Sequence, residues 1–206
     1  MLRIHALFLL FIIFSINAVY SATTPPGINP PKITYNLDQG TGSVEFNAIG
    51  RPSALKIHGK GAHPQGTLTF SGTSITGTAT FDLSSLDTGI NMRNEHMKNK
   101  YLEVGKYPQS KFTFTKITLP DSFKGSTDQS ISNVPFEGTL NLHGVDQPIK
   151  GTAKVEKKSG QLSFVGDFSI VIDDYKIPTP GFAGITMASK VDVEVTFNAQ
   201  PVAVKK

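Results

Sequence analysis

The stretch QLSFVGDFSIVI, residues 161–172, places Leu162, Phe164, Gly166, Phe168, Ile170 and Ile172 on one parity. A strict two-residue period over such a length is the mark of a β-strand with one face turned to a core. The same pattern recurs along the chain, in Val44, Phe46 and Ala48, in Leu55 and Ile57, in Leu68 and Phe70, and in Ile75, Gly77, Ala79, Phe81 and Leu83. It returns in Phe112 and Phe114, in Phe136, Gly138, Leu140 and Leu142, in Ile149, Gly151, Ala153 and Val155, and in Val191, Val193, Val195 and Phe197. Turn signals at Gly50-Arg51-Pro52, Ser71-Gly72 and Lys158-Ser159-Gly160 separate the runs. Eight or more antiparallel strands follow, the pattern of a β-barrel or a β-sandwich.

Most of these stripes contain a residue with little or no side chain. Gly77 and Ala79, Gly138, Gly151 and Ala153, and Gly166 all lie on the apolar parity. Protein interiors are filled to about three-quarters of their volume, so missing side chains on several inward faces need an account. Either the barrel encloses a ligand cavity, for which eight strands are just wide enough, or the glycines relieve crowding where strands coil and large neighbours fill the space.

One segment breaks the alternation. Residues 88–112, TGINMRNEHMKNKYLEVGKYPQSKF, carry Met97, Tyr101 and Val104 at helical spacing, with Asn91 as a potential N-cap and Gly105 and Pro108 as stops. The spacing predicts a short amphipathic helix near 91–104, lying on the sheet or across a barrel mouth. Arg93, Glu95 and His96 fall together here. An acid beside a histidine invites general acid–base chemistry. Zinc-protease spacing, however, needs two histidines one helical turn apart, and only His96 is present. His58, His63 and His143 lie in or beside predicted strands without ligand spacing, and there is no nucleophile elbow, phosphate loop or cysteine nucleophile. A hydrogen-bonded clasp between helix and barrel is the simpler reading of the three side chains, and nothing calls for a cofactor or a metal.

The 206 residues suit one domain. The start, MLRIHALFLLFIIFSINAVYSA, reads as a signal peptide over residues 1–21. Arg3 and His5 precede an apolar run from Ala6 to Ile16, and small residues Ser21 and Ala22 offer a cleavage site. The run is about half the ~20 residues of a membrane-spanning helix, which disfavours an uncleaved anchor. Residues 22–31 are a Pro-rich tether, 32–200 the folded domain and 201–206 a short tail. Without cysteine, neither a lipidated N-terminus nor a disulfide is available, so an exported domain must rest on its core alone. Removing Arg3 from the 20 basic residues leaves 19 against 16 acidic ones, too mild and too scattered an excess for nucleic-acid binding. It permits transient contact with anionic membrane surfaces, and the sequence leaves a homodimer open.

Two longer segments, LSSLDTGINMRNEHMKNKYLEVGKYPQSKFTFT and FEGTLNLHGVDQPIKGTAKV, resemble the YceI-like family of exported, lipocalin-like, polyisoprenoid-binding proteins. The likeness is carried by Thr88, Gly89, Arg93, His96, Lys106, Tyr107, Pro108 and Phe112, then by Gly138, Leu140, Gly144 and Val145, and it extends from about residue 33 to 199. Asn94 stands where the family pattern has an acid, so a salt bridge to Arg93 there is absent or made by Glu95. Tyr101-Leu102 replaces the usual aromatic pair, and Tyr35 is the aromatic near the domain start.

The resemblance implies an all-β, lipocalin-like antiparallel barrel of about eight strands holding a long apolar lipid in a tunnel, with no catalysis and the helical insert near the mouth. The ligand would be a polyisoprenoid or a fatty-acid derivative. Expected on the tunnel wall are Phe70, Phe81, Phe112, Phe114, Phe136, Leu140, Phe164, Gly166, Phe168 and Val195, with Arg93 and His96 at the mouth. Two other classes compete: an adhesion or partner-binding β-sandwich with a filled core, and an enzyme using His96 with Glu95.

Overall fold

The computed structural model describes residues 32–202, apart from 52, 54, 121–122, 124–127 and 183. The predicted signal peptide and tether, and all of the tail beyond residue 202, lie outside the described residues. Ten strands follow the alternating stripes: β1 (Lys32–Arg51), β2 (Lys56–Gly61), β3 (Gln65–Ser71), β4 (Ser74–Asp82), β5 (Gln109–Ile117), β6 (Gln129–Leu142), β7 (Val145–Lys158), β8 (Gln161–Val171), β9 (Gly181–Phe182) and β10 (Ile185–Pro201). Antiparallel pairing runs β1-β3-β4-β5-β6-β7-β8-β10, and β10 returns to β1, closing an eight-stranded barrel. Closure removes the open sandwich from consideration.

The long first strand makes this closure work. Residues 32–36 of β1 pair with β3 and residues 44–49 with β2, while its other edge follows β10. Between these halves the register against β10 shifts, Asn36 facing Gln200 and Thr41 facing Asn198. β2 and β3 are thus two pieces of one ribbon, broken at residues 62–64. Where β2 parts from β4 the barrel wall would gape, and the 83–108 insert closes it. Backbone bonds from Lys60 to Asp87 O (2.9 Å) and from Asp87 to Lys60 O (2.8 Å) stitch one side, and Leu83 N to Pro108 O (3.0 Å) joins the insert's two ends.

Strand direction gives the barrel two unlike ends. Leu55, the insert, the His143-Gly144 turn and residues 172–182 gather at one end, the mouth. The 72–73 turn, residues 118–120, Asp128, Ser159-Gly160 and both ends of the described chain gather at the other, the base. The His143-Gly144 turn takes positive φ at both positions, 52° and 74°, as a two-residue type I′ hairpin requires. At the base, Leu119 N bonds Thr73 O (2.8 Å), Val202 N bonds Thr34 O (2.7 Å) and Ser159 N bonds Asp128 Oδ1 (2.7 Å).

The insert is helical where expected, in two geometries. Only Asn91–Glu95, α1, is α-helical; His96–Tyr101 continues as a wider π-turn and Val104 lies beyond it. Ile90, not Asn91, occupies the cap position and makes no side-chain cap bond. The polar anchoring comes instead from Asn94, whose Oδ1 accepts from Thr88 N (2.8 Å) and Thr88 Oγ1 (2.7 Å) while its Nδ2 donates to Asp87 Oδ1 (2.7 Å). Widening the turn lets Met97, Tyr101 and Leu102 all reach the core. No helix among the described residues is long and apolar enough to cross a membrane.

Candidate functional site

Inside the barrel, phenylalanine decides what is filled. Phe112, Phe114, Phe136, Phe164 and Phe168, from β5, β6 and β8, form a connected cluster with ring centroids 4.7–6.3 Å apart, and Phe164 stacks on Phe197 at 4.8 Å. Such pairs add about 0.5–1.5 kcal/mol each beyond the area they bury.

These rings also account for the glycines. A Cβ on Gly138 would lie 2.3 Å from the Phe112 ring, one on Gly151 2.4 Å from Phe136, and one on Gly166 2.5 Å from Phe164. Phe46 covers Gly59 in the same way, at 2.2 Å. Gly138, Gly151 and Gly166 are therefore seats for neighbouring aromatic rings, which is the crowding account and not the cavity account. A Cβ on Gly77 would instead meet the Thr67 carbonyl oxygen of the paired strand at 2.2 Å. The cavity exists for a different reason, which is that the rings laid over the glycines form a floor part of the way along the barrel.

Toward the base from that floor the interior is solid, with Tyr35, Leu68, Ile75, Ile117, Leu119, Val155 and Leu162 at most 2 % exposed. Toward the mouth it encloses about 460 Å³, within the roughly 300–1,000 Å³ typical of small-molecule sites. Val44, Phe46, Phe168, Val193 and Val195 border this space and are only half-buried, because the surface they expose belongs to the void. At the rim Leu55, Ile90 and Met92 border the cavity and are exposed to solvent.

Of the residues expected on the wall, Phe81, Phe112, Phe114, Phe136, Leu140, Phe164, Gly166, Phe168 and Val195 border the cavity, as do Arg93 and His96 on the insert. Phe70 does not. It sits in the solid half, edge-on to Tyr35 with centroids 5.2 Å apart. Residues that the sequence reading missed also border the space, among them Met97, Tyr101 and Leu102 from the widened turn and Ile177, Pro180 and Met187 from the stretch around β9. Tyr101 and Met97 were visible as an apolar helical face, whereas residues 177–187 have no periodicity to find.

The polar side chains at the mouth divide by role. The Arg93 guanidinium donates from Nε to Thr88 Oγ1 (2.8 Å) and from Nη2 to the Thr88 carbonyl (2.6 Å). Glu95 accepts from Asn99 Nδ2 (2.7 Å), so it does not join the expected clasp. Asp87 does, and the Gly89 N–H and the Asn94 amide hold its carboxyl below the ordinary carboxylate range. A second tie lies across the mouth, where His143 shares a 2.6 Å hydrogen bond from Nε2 with Glu103 Oε2. Its Nδ1 faces Tyr175 O at 3.1 Å, and its ring packs on Tyr107 with centroids 4.4 Å apart. Tyr175 is buried with its hydroxyl unpartnered among the described residues, and burial pushes that phenol up to about 12. Among the described residues no group of three or more His, Asp or Glu side chains could hold a metal ion.

The YceI-like domain family matches residues 35–200. No curated protein matches the chain. Among solved structures, a polyisoprenoid binding domain from Saccharophagus degradans implicated in plant cell wall breakdown is similar at a TM-score of 0.61 and 16 % identity, over 82 % of this chain and 98 % of that one. BcnA of Burkholderia cenocepacia is similar at 0.60 and 17 %, over 81 % and 99 %. A YceI protein of Campylobacter jejuni is similar at 0.52 and 16 %, over 72 % and 85 %. At such identities the likeness is one of fold.

Proposed function

The chain belongs to the YceI-like family, and on that premise we propose that it is an exported, non-enzymatic carrier or store for a long-chain apolar lipid, a polyisoprenoid or a fatty-acid derivative. The observation that carries this reading is the 460 Å³ space above the phenylalanine floor, walled by aliphatic and aromatic side chains and open at an exposed apolar rim. Burying one CH₂ group is worth about 0.8 kcal/mol, so one isoprene unit contributes up to about 3–4. A charge-assisted contact at the mouth nets about 1.5–3 kcal/mol. Two buried units outweigh any head group, so the chain sets affinity while Arg93 and His96 set orientation. Chains differing by one methylene would be separated by only about 1–3 kcal/mol.

On this reading residues 1–21 are removed on export, and the protein works in the periplasm of a Gram-negative cell or outside a cell of another kind. Leu55, Ile90 and Met92 would meet a membrane surface transiently while the lipid passes; a homodimer is compatible with the fold. The test is organic extraction of the purified chain beginning at Ala22, read by mass spectrometry. One long-chain lipid in near-stoichiometric amount is expected. An empty extract, together with no rise in melting temperature on adding prenyl lipids, would overturn the carrier reading. Val193→Phe, which projects a ring into the void, should abolish uptake while the protein stays folded.

A further inference from the structure

Among the described residues, Arg93 is the only Lys, Arg, Asp or Glu side chain bordering the cavity. Its charge is unanswered: Arg93 lies within 4.0 Å of no Asp or Glu carboxylate among the described residues. The carboxylates nearest in the chain are engaged elsewhere, Asp87 by Gly89 N (2.7 Å) and Asn94 Nδ2, and Glu95 by Asn99. A guanidinium carries five N–H donors in a planar fork, and Thr88 takes two of them. The half-buried Arg93 borders an apolar volume, where an incoming anion is favoured over a neutral head.

We propose that the ligand is an amphiphile with an anionic head, a carboxylate or a phosphate at the end of one long chain, and that the head seats on Arg93 while the chain runs down to the phenylalanine floor. This rests on the carrier reading and narrows it, since neutral heads such as alcohols, amides and quinones leave the guanidinium unanswered. The site is built for one orientation. Thr88 fixes the fork from behind through its hydroxyl and its carbonyl, and Thr88 is in turn held by Asn94. A planar, pre-positioned donor set suits two oxygens on one carbon or one phosphorus. The head would sit at the water boundary, because Arg93 lies on α1 beside the exposed Ile90 and Met92.

The test keeps the chain constant and changes the head. Palmitate, hexadecyl phosphate and hexadecanol are titrated at neutral pH into the lipid-stripped protein and into Arg93→Gln and Arg93→Lys. The wild type is expected to bind at least one anion about ten- to hundredfold more tightly than the alcohol; which anion wins names the source, free fatty acid or lipid phosphate. Arg93→Gln should lose that preference, its anion-to-alcohol affinity ratio falling to about one, and Arg93→Lys should keep part of it. Should Arg93→Gln fail to fold, the wild-type ratio and the lysine variant decide alone. Equal affinity of the wild type for acid, phosphate and alcohol would overturn the head-group assignment and leave the carrier reading standing. No binding of any of the three would overturn both.

Discussion

The two halves of the barrel are made from the same strands and the same residue types, yet one is solid and the other hollow. Toward the base, Leu68, Ile117, Leu119, Val155 and Leu162 interlock at 0–1 % exposure. Toward the mouth, Phe46, Phe168, Val193 and Val195 border the open volume and are only half-buried. The divide is the layer of phenyl rings over Gly138, Gly151 and Gly166. Stability and ligand capacity are therefore assigned to different lengths of the same strands. The base can supply the core that a cysteine-free domain needs, and the mouth half is free to stay unfilled.

The sharpest way to break this comparison is to make the same truncation in both halves. Leu162→Ala, in the solid half, should cost about 2–5 kcal/mol because it opens a new cavity. Leu140→Ala only enlarges an existing one and should cost little more than its transfer term, about 2 kcal/mol. Urea unfolding of the pair would show it, and equal losses would mean that the mouth half is as tightly packed as the base.

A smaller effect is expected at the tie between the insert and the β6–β7 hairpin. Glu103→Gln weakens a charge-assisted bond at a half-exposed site and should cost about 1 kcal/mol. Faster amide exchange in residues 96–108 should accompany it, with no change in β7 or β8.

Tyr175→Phe has the opposite sign. It removes a buried hydroxyl with no partner among the described residues and should be neutral or stabilising by up to about 1 kcal/mol. The phenol's value is raised in the folded state, so its contribution is fully present below pH 10 and lost as pH rises through about 12. The variant should lack that part of the alkaline destabilisation in a denaturant series against pH.

The mildest effect concerns Asp87, whose folded-state value lies below the ordinary 3.8. What it contributes is present above that pH and is lost as pH falls through the depressed value. Amide exchange in residues 87–95 should rise in that acid window before exchange at the base does. Asp87→Asn should remove the pH dependence.

The strands were legible because side-chain alternation has a period of two and glycines and turns mark its phase, whereas their closure into a barrel was implied only by the resemblance to the YceI-like family. Depth along a strand carries no such signature. Phe70 and Phe81 lie in equivalent apolar stripes, yet one is in the solid half and the other borders the void. The difference depends on which end of the barrel each strand position reaches, which only the complete pairing settles. The insert was legible as a break in alternation, but its widened second turn was not, because Met97, Tyr101 and Leu102 choose that geometry by packing against a barrel that local spacing does not contain. β1 was read only from its 44–48 stripe, since the register shift after Asn36 interrupts the parity that would have joined its halves. Arg93 was found as part of a motif. Its lack of a carboxylate partner appeared only once Asp87 and Glu95 were seen bonded elsewhere.

Lys32 and Val202 leave the barrel at the base, the end opposite the opening. A tag, a fluorescent protein or a solid support joined at residue 32 or 202 is held on the far side from the rim. A surface coated through those two positions would present every rim outward.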